Sequence, residues 1–142
     1  MRDMTEQETR AFLFEGARTG KLATASESGA PHAAPVWFVP GAEAEIVFTT
    51  WHESVKARHL RANPRASLVV DDERFPYAFV LVKGPVLVQE AAPDLLRWTT
   101  AISRRYVPAD RIDEFARRNA VPGEWLCRLR MERVVARAGI AE

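Results

Sequence analysis

The sequence predicts a mainly β protein, a small antiparallel barrel of six or more strands with short flanking helices. Two observations predict this class. Runs rich in Val, Phe, Thr and Trp recur between Gly and Pro residues, and the helical segments between them are few and short. The chain has 142 residues, of which 47% are hydrophobic and 27% charged, a balance typical of one globular domain. We therefore expect residues 1–142 to form a single domain.

The first part of the chain is predicted to form one helix and three strands. "TEQE" at Thr5–Glu8 has the residues of a capping box, so a helix is expected to begin there and to stop at Gly16. "GKLATASESGAPHAAPVWFV" and "AEIVFTT" follow, with turn residues at 28–29 and 40–41. These runs predict three strands of an antiparallel meander.

The middle of the chain continues with a helix and two strands. Ser54 is a good N-cap for "VKARHLRAN", and Asn63 followed by Pro64 ends that helix. "RASLVVDD" and the long "PYAFVLVKGPVLVQE" return to strand character. The second strand is predicted to bend at Gly84-Pro85, as suits a small barrel.

The last third is predicted to contain two helices and a closing β segment. A helix is predicted to start at Pro93. One face of it carries an apolar stripe, interpreted as core or dimer surface: Leu95, Trp98, Thr99, Ile102 and Tyr106. The arginines predicted to face outward are Arg97, Arg104 and Arg105. "DRIDEFARRN" predicts a weaker helix ending near 122–123. "WLCRLRMERVVARAG" alternates as one or two strands.

Several functional classes are disfavoured by composition and by missing motifs. The net charge of +1 is too small to give the broad positive field that non-specific nucleic-acid binding needs. No apolar run is long enough to span a bilayer. The single Cys127 suits a reducing compartment, so we expect a cytoplasmic protein. His32, His52 and His59 lack metal-ligand spacing, so no metal site is predicted. No nucleophile-elbow, P-loop or dinucleotide-binding glycine motif occurs.

One strand-to-helix corner, "FTTWHESVKARHLRANP" at 48–64, collects groups that suit phosphate. Thr49 and Thr50 end the strand, and Ser54 opens a helix whose N-terminus attracts anions. Lys56 lies in the first turn, where its charge opposes the helix dipole. This misfit favours an anion site, while the alternative is an ordinary cap with Lys56 in water.

The ordered segments around this corner resemble a known superfamily. "GKLATASESGAPHAAPVWFV", "AEIVFTTWHESVKARHLRANPRASLVVDDE" and "FPYAFVLVKGPVLV" are similar to the split β-barrel flavin and deazaflavin oxidoreductases related to pyridoxamine 5′-phosphate oxidase. The similarity is greatest to the actinobacterial branch that uses the deazaflavin coenzyme F420, and it covers roughly residues 5 to 137. It implies a split β-barrel, FMN-binding-like fold and a homodimer with two cofactors at the interface.

The resemblance also implies cofactor-binding positions. The tricyclic ring would lie beside Pro35, Val36 and Trp37. The phosphate would be held by Thr49, Thr50, Ser54 and Lys56, and Val55 is a further cofactor-binding position between the last two. The phosphate or an acidic tail would meet Arg58, His59 and Arg61 on the same helix, and the next strand would line the cofactor with Tyr77 and Ala78. Val55 stands where flavin-using relatives tend to have a basic residue. The missing charge favours F420, with its oligoglutamate tail, over FMN.

The leading hypothesis is an oxidoreductase that transfers a hydride between F420 and a small conjugated substrate of the quinone, enone or tetrapyrrole type. An FMN-binding protein, or a non-catalytic carrier of flavin, deazaflavin or haem, remains an alternative because fold does not fix function. No catalytic residue is predicted, since His32, Tyr77, water or the partner chain can each supply a proton. The aromatic residues expected to line a substrate pocket or the core are Trp37, Trp51, Phe38 and Phe75.

Overall fold

The structure, a computed structural model, describes residues 1–142 as nine strands and four α-helices, with a 3-10 turn at Ala109–Arg111 before the last helix. The elements are β1 (Arg2–Asp3), α1 (Glu6–Phe14), β2 (Gly20–Ala25), β3 (Pro31–Val36), β4 (Val39–Pro40), β5 (Glu45–Trp51), α2 (Val55–Ala62), β6 (Arg65–Asp72), β7 (Ala78–Gln89), α3 (Leu95–Tyr106), α4 (Ile112–Asn119), β8 (Glu124–Arg130) and β9 (Arg133–Ala138).

All strands belong to one curled antiparallel sheet. The strand order is β3-β2-β6-β7-β8-β5-β4, and β9 pairs with both β7 and β1. The mainly β, barrel-like prediction is confirmed. None of the four helices is long and apolar enough to cross a membrane.

Strand β7 bends where it changes partners. Up to Lys83 it pairs with β9, and from Val86 it pairs with β8. A Cβ atom at Gly84 would lie 1.9 Å from the carbonyl oxygen of Arg130, so only glycine fits at the crossing. The predicted bend at Gly84-Pro85 is confirmed, and it lets one long strand belong to both halves of the curled sheet.

Two groups of buried side chains form the core. The larger group fills the curled sheet and includes the fully buried Phe38 and Phe48. A smaller group packs α3 against β4, β5 and β8: Val39, Val47, Ile102 and Leu126. The apolar stripe of α3 therefore belongs to the core, one of the two predicted interpretations.

The helix starts agree with the capping signals. Thr5 Oγ1 accepts a hydrogen bond from Glu8 N at 3.1 Å, and the Glu8 carboxylate accepts from Thr5 N at 3.0 Å. Ser54 Oγ accepts from Ala57 N at 3.1 Å at the start of α2. Both caps involve residues three positions apart, which explains why they are recognisable in the sequence.

The predicted three-stranded meander is wrong in its third strand. β2 and β3 pair as expected, but β5 pairs with β4 and β8 and not with β3. The chain leaves β3 at Val36 and crosses the core through the fully buried Phe38 before β4 begins. Burial of that ring moves the chain to the other half of the sheet.

Arg105 does not face outward as predicted. Its guanidinium donates to the backbone carbonyls of Phe38, Leu13 and Gly16, at 2.6, 2.7 and 2.9 Å. It thereby joins α3 to the end of α1 and to the β3–β4 crossing.

Strand β1 was not predicted either, because two residues, Arg2–Asp3, are too few to show a sheet period.

Candidate functional site

The corner between β5 and α2 is held by local hydrogen bonds. Ser54 N donates to Trp51 O at 2.9 Å, which closes the turn after β5. The Ser54 hydroxyl caps α2 and lies 2.8 Å from Thr50 Oγ1, in hydrogen-bond contact. Thr50 is buried, so this pair anchors the helix start against the core. The backbone N–H groups of the first helical turn therefore have a fixed direction.

The corner forms one wall of a cleft of about 350 Å³. Strand β3 supplies a second wall, and α3, α4 and the start of β8 supply the third. The lining residues are Pro35, Val36, Trp37, Thr49, Thr50, Trp51, Ser54, Lys56, Thr99, Ile102, Asn119 and Glu124. The structure thus brings together seven of the predicted positions, from β3, β5 and α2: Pro35, Val36, Trp37, Thr49, Thr50, Ser54 and Lys56.

Lys56 is half-buried in this cleft and takes part in none of the ion pairs of the chain. It lies in the first turn of α2, which contains no acidic residue. A lysine there opposes the helix dipole and weakens the helix slightly. The corner therefore combines an ammonium group, hydroxyls and helix N–H groups, a donor set that matches the oxygens of a phosphate.

Glu124 introduces the opposite charge into the cleft. Burial raises the pKa of its carboxyl group, while a hydrogen bond from Thr49 and the nearby Lys56 charge lower it. Glu124 is paired with Trp51 in the β5–β8 register, and Thr49 is its diagonal neighbour on the same face of the sheet. Lys56 and Glu124 are the two charged side chains that line the cleft.

Contacts with α3 hold the Trp37 side chain in place. Its ring stacks on that of Tyr106, with centroids 5.4 Å apart and planes 4° from parallel. The Tyr106 hydroxyl donates to Arg18 O at 2.8 Å and accepts from Phe38 N at 3.4 Å. Helix α3 therefore fixes the segment after β3 whose residues face the cleft.

Other predicted positions on α2 lie outside the cleft lining. Val55 is half-buried in the first turn. His59 Nδ1 lies 3.0 Å from Thr24 Oγ1, and Arg61 pairs with Glu90 at 2.8 Å. Because His59 and Arg61 already have partners within the chain, their contact with a cofactor stays a prediction.

Tyr77 and Ala78 are not brought to this cleft within one chain. Ala78 lines a different cavity, of about 860 Å³, beside α1. Strands β3 and β7 are separated by β2 and β6, so at ~4.8 Å per strand they lie roughly 14 Å apart. A role for these two residues at the predicted site therefore stays a prediction.

The aromatic residues considered for a substrate pocket divide into three groups. Trp37 and Trp51 line the cleft, and Trp51 is 42% exposed at its rim. Phe38 belongs to the core, whereas Phe75 is 73% exposed at the β6–β7 hairpin.

Cys127 is buried, and burial raises the pKa of its thiol to about 12, so it is no nucleophile.

The sequence did not reveal four residues that line the cleft: Thr99, Ile102, Asn119 and Glu124. Thr99 and Ile102 were recognised on the α3 stripe, but nothing local shows that this stripe reaches the corner. Glu124 follows Gly123, whose positive φ of 98° leads the chain against Trp51 and His52. Gly123 was the one residue in the sequence that could have indicated the close approach of this segment to Trp51 and His52.

Comparison with known proteins agrees with this architecture. A family model described as pyridoxamine 5′-phosphate oxidase matches residues 5–137. The chain belongs to the pyridoxamine 5′-phosphate oxidase family. No curated protein matches the chain significantly. The family match covers the corner, the cleft and all strands except β1 and the last residue of β9.

Three solved structures show the same fold. A conserved hypothetical protein from Mycobacterium tuberculosis is 26% identical, with a TM-score of 0.80 over 96% of this chain and 86% of that one. An F420 reductase is 23% identical, with a TM-score of 0.65 over 87% of this chain and 94% of that one. The heme storage protein from Vibrio cholerae is 20% identical, with a TM-score of 0.72 over all of both chains.

Proposed function

We propose that this protein is an oxidoreductase that binds coenzyme F420 in the cleft between β3, the β5–α2 corner and α3. The observation that carries the proposal is the unpaired Lys56 among hydroxyls at a helix start, facing the Pro35–Trp37 wall in a member of this family. The F420 reductase among the structural relatives supports the choice of cofactor. FMN is the alternative cofactor.

The residues present fit such a cofactor. The phosphate would accept hydrogen bonds from the first turn of α2 and from Lys56, with the Thr49 hydroxyl beside it. The flat ring would lie against Pro35, Val36 and Trp37. The cleft volume of about 350 Å³ is at the low end for ligand sites, so part of the cofactor would extend beyond it. The exposed Arg58, one helical turn after Ser54, would meet the acidic tail.

When bound in its reduced form, F420 supplies a hydride. The chain contributes orientation, because the Trp37 ring is held by its stack on Tyr106 and cannot swing away without losing that contact. The apolar surfaces of Trp37, Trp51 and Ile102 exclude water from one side of the cleft. A conjugated substrate would stack on the face of the ring opposite this wall.

We also propose that the protein acts as a homodimer whose sites use both chains. Phe75 and Tyr77 form an exposed edge-to-face pair, with centroids 5.9 Å apart, away from the cleft of their own chain. Val69, Leu81 and Val135 form an apolar row on the outer face of β6, β7 and β9, in register across the strands. A second copy packed on this face would cover the row and bring Tyr77 and Ala78 to the other chain's cleft.

Equilibrium binding tests the cofactor. Purified protein is titrated with F420 and with FMN, and quenching of each cofactor's fluorescence is followed. Micromolar or tighter binding of F420, with FMN much weaker, is the expected result. Tight FMN with no F420 would move the protein to the flavin-using branch, and failure of both would refute the proposed cofactor site.

Turnover separates an enzyme from a carrier. Reduced F420 is mixed with the protein and with quinones, enones or a tetrapyrrole such as biliverdin, and its oxidation is followed by absorbance. Oxidation that depends on both protein and substrate is expected. A carrier would bind the cofactor without accelerating its oxidation by any of these substrates.

Mixed dimers test whether two chains share each site. Lys56→Ala and Tyr77→Ala each remove one proposed contact, so each variant alone should bind F420 poorly. If Tyr77 serves the partner's cleft, random exchange of subunits restores roughly a quarter of all sites, because one site of each mixed dimer is then unaltered. No recovery on mixing, or a monomer in sedimentation, would refute the shared site.

A further inference from the structure

The cleft at the β5–α2 corner contains a carboxylate. A site that binds a highly charged anion would be expected to contain no carboxylate. Glu124 lines the cleft together with Lys56, and every other lining residue is uncharged. The side chains of the cleft therefore carry one positive and one negative charge when both groups are ionised. Only the partial positive charge of the α2 N-terminus remains to favour an anion.

Glu124 is fixed in this position by the backbone before it. A Cβ atom at Gly123 would lie 2.7 Å from His52 Nδ1 and 2.8 Å from the Trp51 ring, so this segment packs directly against the end of β5. His52 N also donates to Gly123 O at 2.9 Å. These contacts hold Glu124 opposite Trp51, on the side of the sheet that faces the cleft.

Phosphate esters differ in the charge that they would bring next to this carboxylate. A phosphomonoester carries between one and two negative charges near neutral pH, because its second pKa is about 6. A phosphodiester has no second ionisable oxygen and carries one. FMN is a monoester, whereas F420 joins its ring system to its tail through a diester.

We propose that Glu124 is a specificity-determining residue that makes the cleft favour a phosphodiester over a phosphomonoester. This inference rests on the proposed function, in which the cleft holds the cofactor phosphate. A diester finds one compensating charge in Lys56 and one repulsive charge in Glu124. The second charge of a monoester meets no further cation in the cleft, so Glu124 repels it without compensation.

The environment of Glu124 agrees with such a role. Burial raises the pKa of this carboxyl group, so its ionised form already lacks full stabilisation before an anion arrives. A hydrogen bond from Thr49 and the charge of Lys56 act in the opposite direction and lower the pKa, which partly stabilises the charged form. A ligand phosphate that binds Lys56 and Thr49 would remove their stabilisation of the Glu124 carboxylate. A doubly charged phosphate would also repel that carboxylate more strongly than a singly charged one.

The test compares Kd values for F420 and FMN at pH 8, where the monoester is doubly charged. Wild-type protein is compared with Glu124→Gln, which removes the charge and keeps the shape, and with Glu124→Asp, which keeps the charge. Glu53→Gln is the matched control, since Glu53 lies at the same corner but is 74% exposed and does not line the cleft. Circular dichroism checks that each variant is folded.

Glu124→Gln is expected to tighten FMN binding by about tenfold, while F420 binding changes by less than about threefold. Glu124→Asp is expected to keep the wild-type ratio of the two Kd values, and so is Glu53→Gln. The inference is overturned if Glu124→Gln leaves the ratio unchanged, or if Glu53→Gln changes it equally. A wild-type protein that binds neither cofactor would overturn the proposed function as well, an outcome distinct from an unchanged ratio.

Discussion

Two half-buried cations, Lys56 at the start of α2 and Arg105 near the end of α3, have opposite surroundings. Arg105 donates to the carbonyl oxygens of Leu13, Gly16 and Phe38 over 2.6 to 2.9 Å, and its charge lies over the Phe38 and Tyr106 rings. Lys56 has no ion-pair partner and faces a cleft. Charge and burial alone do not distinguish them, but their hydrogen-bond acceptors do.

The difference assigns separate tasks to the two regions. Arg105 satisfies three carbonyl groups from two chain segments, including that of Leu13, which lies in the last turn of α1 and has no helical partner. Burial lowers the pKa of Arg105, yet an arginine stays charged in proteins. The Arg105 region therefore stabilises the fold. The Lys56 corner retains unused donors, as a binding site requires.

Arg105→Ala should produce the largest effect. Loss of three charge-assisted hydrogen bonds, with carbonyl groups left unpaired, is expected to lower the free energy of unfolding by about 3 kcal/mol. Urea unfolding followed by circular dichroism measures it. The control is Arg104→Ala, which removes the neighbouring exposed arginine and should change stability by less than about 0.5 kcal/mol. Equal effects of the two variants would contradict the structural role of Arg105.

Lys56→Ala should separate binding from stability. Cofactor binding is expected to weaken by about 1 to 3 kcal/mol, the loss of one charge-assisted hydrogen bond. Stability should stay within about 0.5 kcal/mol, because the lysine opposes the helix dipole and forms no ion pair within the chain. Fluorescence titration and urea unfolding of the same samples measure both quantities. Unchanged affinity in a folded variant would remove Lys56 from the site.

Ser54 should contribute to both properties, because its hydroxyl caps α2 and lies in the cleft. Ser54→Ala is expected to cost about 1 kcal/mol of stability through loss of the cap, and to weaken cofactor binding. Ser54→Asp sharpens the comparison, since aspartate restores the cap and adds a negative charge beside the phosphate. It should recover stability without recovering binding. Recovery of both would show that Ser54 acts only as a cap.

Glu124→Gln should have the smallest effect on stability. The environment raises the pKa of Glu124 above its ordinary value of 4.5, so the folded state holds the proton more tightly than the unfolded state. The contribution of this group to stability is therefore complete at low pH and is lost as pH rises through the raised pKa. The variant should melt slightly higher than wild type at pH 7 and equally near pH 4. A lower melting temperature at pH 7 would contradict this sign.

Much of the local structure could be predicted because its causes lie within a few residues. The capping box at Thr5–Glu8 and the Ser54 cap both fix the backbone through neighbours in the chain. The 3.6-residue stripe of α3 likewise identified residues of the core. The phosphate-compatible corner was recognisable for the same reason, since Thr49 to Lys56 form one short segment.

The sequence by itself determined the starts of α1 and α2, the longer strands of the sheet and the group of donors at the β5–α2 corner. Only the tertiary structure decided that β5 pairs with β8, that Arg105 turns inward and that Glu124 shares a cleft with Lys56. Caps and periods depend on hydrogen bonds and packing between near neighbours. The pairing of distant strands depends instead on which apolar faces are buried together, and the 67 residues between Lys56 and Glu124 contain no local signal of that choice.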